Sequence, residues 1–291
     1  MVGVAGCSGA TSTARAYDFD AGPESTADAH ALNRDGAVGD TGTGKRPPPP
    51  PRSDADVDAS DCPASAKLVY VTGEGAKLYS LYPPTLTFTL VGTLGCLSLP
   101  THMTVDRQGV AWVVAGGKLY KASTASASCS PVSTWTASPT DFPDFALTFL
   151  GTASAPDDAL YMLGSSGTLG SLDVTTGHVT VIGSPSVASR TGDMTTNGDG
   201  TLYFLAQAAA QTLNRLDPHN ASVVTVYPTH EDGLMDQALA YYGGLFFDFL
   251  GQDIYTFDTA TGKTTAVGKA PLSVTGAGQS TCVPAVAPPP P

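Results

Sequence analysis

Hydrophobic and polar residues alternate along much of this chain in short segments, and one such segment occurs twice. The sequence LDVTTGHVTVIG, at residues 172–183, returns in slightly altered form as FDTATGKTTAVG at residues 257–268. In each copy an apolar residue, an Asp and several turn formers lead to a Gly, after which Thr and apolar residues alternate. The Asp side chain can accept hydrogen bonds from its own turn, and the Gly can adopt positive φ. Each copy is therefore predicted to form a β-hairpin.

A second pattern recurs in the same order relative to this hairpin. The sequence MTVDRQGVAWVVA, at residues 103–115, matches MTTNGDGTLYFLA, at residues 194–206, position by position. It predicts two short strands joined by a polar turn that contains Gly. Weaker copies of the hairpin stand at 81–92 and 216–227, and partial copies of the second pattern stand at 157–164 and 241–251. The chain thus repeats a unit of four short strands.

The repeats can be placed in one register along residues 66–285. In that register, the third strands of successive units begin near Lys77, Lys118, Thr168, Thr212 and Asp253. A repeat of about 40–50 residues with four short strands is typical of β-propeller blades. The predicted fold is therefore all-β, a five-bladed β-propeller. A β-sandwich with evenly spaced strands is the alternative.

The two ends of the array predict how the ring closes. The first unit begins with AKLVYVTG, which has the pattern of a second strand, so a first strand is missing. The segment GAGQSTCVPAVA, at residues 276–287, follows the fifth unit and can supply that strand. A ring sealed by strands from both ends leaves few open sheet edges.

Composition divides the chain into a folded part and flanking segments. Residues 8–61 are rich in Ala, Asp, Gly, Ser, Thr and Pro and contain few large apolar residues, so we predict a disordered, acidic, Pro-rich linker. Residues 62–287 are expected to form the propeller, and 288–291 a Pro tail. The formal charge of −12 argues against nucleic acid and anionic membrane surfaces as partners.

The first cysteine suggests where the protein resides. The sequence VAGC, at residues 4–7, is similar to a bacterial lipobox, in which the Cys is lipidated. Only six residues precede Cys7, too few for a complete signal peptide, so residues 1–7 are interpreted as a signal remnant. Ser8 favours sorting to the outer membrane of a Gram-negative bacterium. A chance Cys after small residues is the alternative.

Four further cysteines are an even number, which suggests two disulfides in an exported protein. Three pairings are possible. A bond between Cys62 and Cys282 would join the two ends of the blade array, and the other pair would then be Cys96 with Cys129. Unpaired buried thiols are the alternative.

Taken together, these segments resemble a known group of proteins. The lipobox, the acidic linker, LVYVTG with KLYSLYPPTLTFTLVGTLGC, MTVDRQGVAWVV with KLYKAS and SCSPVSTW, and the final GAGQSTCVP resemble the propeller lipoproteins of myxobacteria and their relatives. The resemblance covers most of the chain and implies the fold and an envelope location. It implies no activity.

By analogy with other propellers, the first strands begin beside the central channel on the ligand-binding face. In the register above, the residues at these starts are His102, Asp144, Asp193 and Asp236, with Gln279 near the fifth. Three carboxylates and an imidazole around one channel could hold a hard cation such as calcium or polarise a substrate. Alternatively, each Asp accepts hydrogen bonds from backbone donors of its neighbouring loop.

The most charged loop expected on that face contains His230, Glu231 and Asp232, which are a secondary candidate site or a solvated loop. Trp112 and Trp135 are expected in the core of the blades. No phosphate-binding loop or Ser-His-Asp motif occurs.

Two functions remain open at this stage. The first is a monomeric, non-catalytic binding or scaffold module for a glycan or envelope protein, without a cofactor and with membrane contact only through its lipid anchor. The second is a hydrolase or lactonase that uses the channel face. Only three glutamates occur, at 24, 74 and 231, which leaves few candidates for a Glu-based acid/base pair.

Overall fold

In the computed structural model the described residues are 62–135, 142–151, 158–186, 190–197, 200–207, 211–230 and 237–287. Within them the chain forms twenty β-strands and three short 3-10 turns. The predicted signal remnant (1–7), linker (8–61) and Pro tail (288–291) lie outside the described residues. No helix in the described ranges is long and apolar enough to cross a bilayer.

The strands pair into five antiparallel sheets of four strands, which are the five predicted blades. From the inner to the outer strand, blade 1 contains β20 (Val274–Gln279), β1 (Val69–Gly73), β2 (Lys77–Tyr82) and β3 (Thr87–Thr93). Blade 2 contains β4 (His102–Val105), β5 (Val110–Ala115), β6 (Lys118–Ser123) and β7 (Cys129–Pro131). Blade 3 contains β8 (Phe145–Leu150), β9 (Ala159–Gly164), β10 (Leu169–Leu172) and β11 (Val179–Gly183). Blade 4 contains β12 (Arg190–Thr196), β13 (Leu202–Gln207), β14 (Gln211–Leu216) and β15 (Val223–His230). Blade 5 contains β16 (Gln237–Tyr242), β17 (Leu245–Leu250), β18 (Asp253–Asp258) and β19 (Lys263–Lys269).

The hydrophobic pattern follows the distance of each strand from the centre. Inner strands such as β8 and β16 are buried along their whole length, because neighbouring blades cover both of their faces. Outer strands such as β19 carry Thr and Lys and are largely exposed. Trp112 and Trp135 are both buried in the core, as predicted. The third strands begin within one residue of the predicted positions.

The C-terminal strand completes the first blade, as predicted. Strand β20 pairs antiparallel with β1, with Val69 opposite Gln279 and Val71 opposite Ala277. It begins two residues before the predicted segment and ends at Gln279, so residues 280–287 continue beyond the sheet. Both expected disulfides are present, and Cys62–Cys282 joins the ends of the described array.

The predicted hairpins form with the predicted turn chemistry. Asp173 Oδ1 accepts a hydrogen bond from the Thr175 N–H, and Asp258 Oδ1 accepts one from the Ala260 N–H, each at 2.8 Å. Gly177 adopts a φ of 75°, which glycine tolerates without steric cost. In the three blades whose turn lacks this Gly, another residue adopts positive φ at the equivalent position: Leu86, Ala127 and Ala221.

The Gly that ends the repeated hairpin packs against the positive-φ turn residue of the next blade. A Cβ on Gly92 would lie 2.9 Å from the Ala127 Cβ, and one on Gly183 would lie 3.3 Å from the Ala221 Cβ. The pairs are Gly92 with Ala127, Gly183 with Ala221, and Gly268 with Leu86. The repeated segment thus serves two contacts, because its turn packs on the preceding blade and its last residue makes room for the following one.

Candidate functional site

The central channel is bridged by side chains from the inner strands. His102 begins β4 of blade 2, and its Nδ1 lies 3.1 Å from Asp193 Oδ1 on β12 of blade 4. Asp193 is fully buried and also accepts hydrogen bonds from the Met194 N–H at 3.0 Å and the Leu239 N–H at 2.9 Å. Since Leu239 belongs to β16, this one carboxyl group connects blades 2, 4 and 5.

The surroundings of Asp193 have opposing effects on the pKa of its carboxyl group. Burial raises the pKa of this carboxyl group, while the hydrogen bond and charge of His102 and the two backbone N–H donors act in the opposite direction. The backbone donors come from the strand of Asp193 itself and from the neighbouring blade. We expected Asp193 to accept hydrogen bonds from its neighbouring loop. Instead, its hydrogen bonds connect strands of different blades.

A second tie crosses the channel from blade 1. Gln279 donates from Nε2 to Thr195 Oγ1 at 2.6 Å and to the Thr196 carbonyl oxygen at 3.0 Å, and its Oε1 accepts from the Tyr241 N–H at 3.1 Å. It is buried, with 2% of its surface exposed. Two levels of the channel are thus occupied by hydrogen-bonded side chains.

An ion pair lies at the far end of the inner strands. Arg107, in the turn between β4 and β5, lies 3.7 Å from Asp158, which precedes β9 and is 4% exposed. Thr281 donates to Asp158 Oδ2, and burial raises the pKa of this carboxyl group. This pair could not be predicted from the sequence, because two charged residues 51 positions apart in separate turns give no local signal.

A pocket of about 660 Å³ opens on the face where the inner strands begin. The loop between β1 and β2 and the linker from β3 to β4 form two of its walls. His102 and Asp144 line it, and Asp193 lies behind His102. Its further lining includes Glu74, Leu94, Gly95, Leu97, Leu99, Pro100, Gly192, Gln237 and Thr275.

Asp144 lies at the mouth of this pocket, just before β8. It is partly exposed, and its Oδ1 accepts from Thr101 Oγ1 at 3.3 Å and from the Phe145 N–H at 3.1 Å. The structure thus brings His102, Asp144 and Asp193 to one end of the channel. Asp236, the fourth member of the expected ring, lies outside the described residues.

The other candidates fall largely outside the described part of the chain. Glu231, Asp232 and Cys7 are not described, and His230 is described only as the last backbone position of β15. In the described ranges, no group of three or more His, Cys, Asp or Glu side chains could hold a metal ion.

Gln237 is a pocket residue that the sequence analysis missed. It begins β16, is 4% exposed, and its buried Oε1 has no hydrogen-bond partner among the described residues. A buried acceptor without a partner costs free energy unless a ligand or water supplies a donor. Its position at a strand start, one residue after Asp236, was the available signal.

The segment between β3 and β4, which forms one wall of the pocket, is held by a disulfide and carries an exposed apolar residue. The Cys96–Cys129 disulfide fixes its beginning to blade 2. Leu99, three residues later, is 83% exposed and adopts a φ of 50°, a left-handed conformation that is unfavourable for a bulky residue. Leu97 and the buried Pro100 complete an aliphatic wall beside it.

No protein-family model and no curated protein matches this chain. Among solved structures, the WD40 domain of Neurospora crassa Pan2 is similar with a TM-score of 0.42 and 13% identity, over 71% of this chain and 64% of that domain. The chain thus spans less than two thirds of that domain's length. A Bacteroides thetaiotaomicron protein of unknown function is similar with a TM-score of 0.46 and 14% identity, over 76% of this chain and 68% of that one. At these identities the likeness concerns the fold alone.

Proposed function

We propose that this protein is a non-catalytic binding module of the bacterial cell envelope, which holds a glycan or protein partner in the pocket at the mouth of the channel. The observation that carries the proposal is the pocket itself. It combines an aliphatic wall with a few polar groups, including the Gln237 acceptor that has no partner among the described residues, and this mixture is typical of ligand sites.

The arrangement of the channel supports binding rather than catalysis. Asp193 and Gln279, which are both buried, form hydrogen bonds that connect different blades. The pocket therefore rests on a rigid floor, which suits a preorganised binding site. Two disulfides, which are typical of proteins outside the cytosol, agree with an envelope location.

We further propose that Cys7 is the lipid anchor, in line with the resemblance to myxobacterial propeller lipoproteins, and that residues 8–61 tether the propeller to the outer membrane. The test is expression from the gene with its natural upstream codons in a Gram-negative host supplied with a labelled fatty acid. Label should enter the wild type and be lost in Cys7→Ser.

Binding can be tested by filling the pocket. Gly95 lines it, and a Cβ there would have no heavy atom within 4 Å, so Gly95→Trp should occupy the pocket without disturbing the fold. The control is Val226→Trp on the outer strand of blade 4, where Val226 is 53% exposed. Saturable binding of the full chain to purified envelope polysaccharide or to isolated outer-membrane proteins should be lost only in Gly95→Trp. Equal binding by both variants would contradict the proposal.

One observation favours the alternative of a hydrolase or lactonase. The Asp193 carboxyl group orients the His102 ring, which lines the pocket, and such a pair can activate water as a general base. Turnover of a panel of sugar lactones and aryl glycosides that is abolished by His102→Gln would favour this alternative over the binding module.

A further inference from the structure

Apart from His102, which is paired with Asp193, the charged side chains in the described lining of the pocket all have one sign. Glu74 and Asp144 line it, and no described lining residue is Lys or Arg. We propose that the pocket binds a cationic and aliphatic segment of a protein partner: a Lys or Arg side chain directed at Gln237 and Asp144, with a neighbouring aliphatic side chain on the leucine wall. This inference rests on the proposed function, since it assumes that the pocket is the binding site.

The polar end of the pocket offers acceptors. Gln237 Oε1 is buried and has no partner among the described residues. The hydrogen bonds of Asp144 within the described ranges use Oδ1, and its second carboxylate oxygen remains as an acceptor. Ammonium and guanidinium groups carry only donors, so they match this set better than a carboxylate or phosphate would. The net charge of −12 also attracts cations towards the protein.

The apolar side of the pocket favours a protein partner over a glycan. Leu94, Leu97, Leu99 and Pro100 form an aliphatic wall, and none of the described lining residues is Phe, Tyr or Trp. Sugar rings are commonly held by stacking on aromatic side chains, and the described lining of this pocket contains none. An exposed leucine in a left-handed backbone conformation is instead suited to cover an aliphatic side chain.

The two halves of the site can be probed with small compounds that share one chain length. The probes are hexylguanidinium, hexanol and hexanoate, titrated into the full chain and followed by NMR. We expect hexylguanidinium to bind at least tenfold more tightly than hexanol, because a hydrogen bond to a charged group contributes about a factor of ten or more. Hexanoate should bind most weakly, because the carboxylates repel it.

Two variants assign the effect to the pocket. Gln237→Leu removes the unpartnered acceptor, so the free protein should melt at a higher temperature while hexylguanidinium binds at least tenfold more weakly. Gly95→Trp should abolish binding of all three compounds, and Val226→Trp should leave it unchanged. If Gln237 only supports the fold, Gln237→Leu should instead lower the melting temperature and leave the affinity for hexylguanidinium unchanged.

The outcomes separate this inference from the proposed function. Equal affinity for the three compounds, preference for hexanoate, or no binding at all would overturn the cation inference. If envelope polysaccharide binds nevertheless and Gly95→Trp blocks it, the pocket is a binding site for a glycan and only the present inference fails.

Discussion

A buried carboxyl group between blades 4 and 5 makes the stability of the protein depend on pH. Asp248 lies on β17 with 4% of its surface exposed, and Gln211 Nε2 donates to its Oδ2 at 3.1 Å. Burial raises its pKa from 3.8 to about 7, the hydrogen bond from Gln211 acts against this rise, and the nearby Asp193 carboxyl group adds to it. The folded protein therefore holds a proton on Asp248 where the unfolded chain has already released it.

The sign and size of the effect follow from this difference. Between pH 4 and pH 7 the unfolded state binds fewer protons at this site than the folded state, so the free energy of unfolding falls as the pH rises. A difference of about three pKa units, at 1.36 kcal/mol each, corresponds to about 4 kcal/mol. Asp248→Asn keeps the shape and the acceptor for Gln211 but cannot ionise. It should match the wild type near pH 4 and exceed it by up to about 4 kcal/mol at pH 8.

The assay is urea denaturation of both proteins at pH 4 and pH 8 under oxidising conditions and constant ionic strength. Asp258→Asn serves as a control whose effect should be nearly the same at both pH values. Hydrogen bonds from the Ala260 N–H and the Thr261 side chain lower the pKa of the exposed Asp258, so its stabilising effect is present above pH 4 and lost as the pH falls through the lowered pKa. A difference between Asp248→Asn and wild type that is the same at both pH values would refute the reasoning.

Three further experiments test two contacts between blades and the disulfide that joins the ends of the array. Gly92→Ala places a methyl group 2.9 Å from the Ala127 Cβ and should lower the free energy of unfolding in urea by about 1–3 kcal/mol, whereas adding Ala127→Gly should restore most of it; additive effects would contradict a direct contact. Asp193→Asn presents a donor to a backbone N–H and should lower that free energy by about 1–3 kcal/mol. Its melting temperature should respond to calcium no differently from that of the wild type, and a calcium response lost in the variant would favour a cation site. Replacing Cys62 and Cys282 by Ser should cost up to about 5 kcal/mol for a loop of this length, and non-reducing peptide mapping that finds these thiols free would contradict the pairing.

The fold could be predicted because its determinants are local and repeated. A hairpin such as 172–183 carries its own turn residues, and four copies in one register leave few arrangements in which all of them can pack. The missing first strand of blade 1 and the position of Cys282 beyond the last blade then predicted the closure. These features depend on the order of the segments along the chain, which can be read directly from the sequence.

The candidate site could be predicted only in part, because its contacts join distant parts of the chain. His102 and Asp144 were found from their places at strand starts, yet the hydrogen bond from His102 to Asp193 joins residues 91 positions apart on non-adjacent blades. The pocket walls come from the loop at 73–76 and the linker at 93–101, which are not part of the repeated pattern. Gln237 carries no charge, so its residue type alone does not mark it as a candidate site residue.

The mixed origin of blade 1 affects how the protein is made. Strand β20 leaves the ribosome after every other described strand, so β1 keeps an unpaired edge throughout the synthesis of the remaining four blades. The nascent chain can therefore form at most an open arc, and that arc is the stage most exposed to aggregation or to edge pairing with a second copy. A circular permutant that joins residue 287 to residue 62 and begins between two other blades would make all five sheets contiguous in the chain, and it should refold with less loss to aggregates.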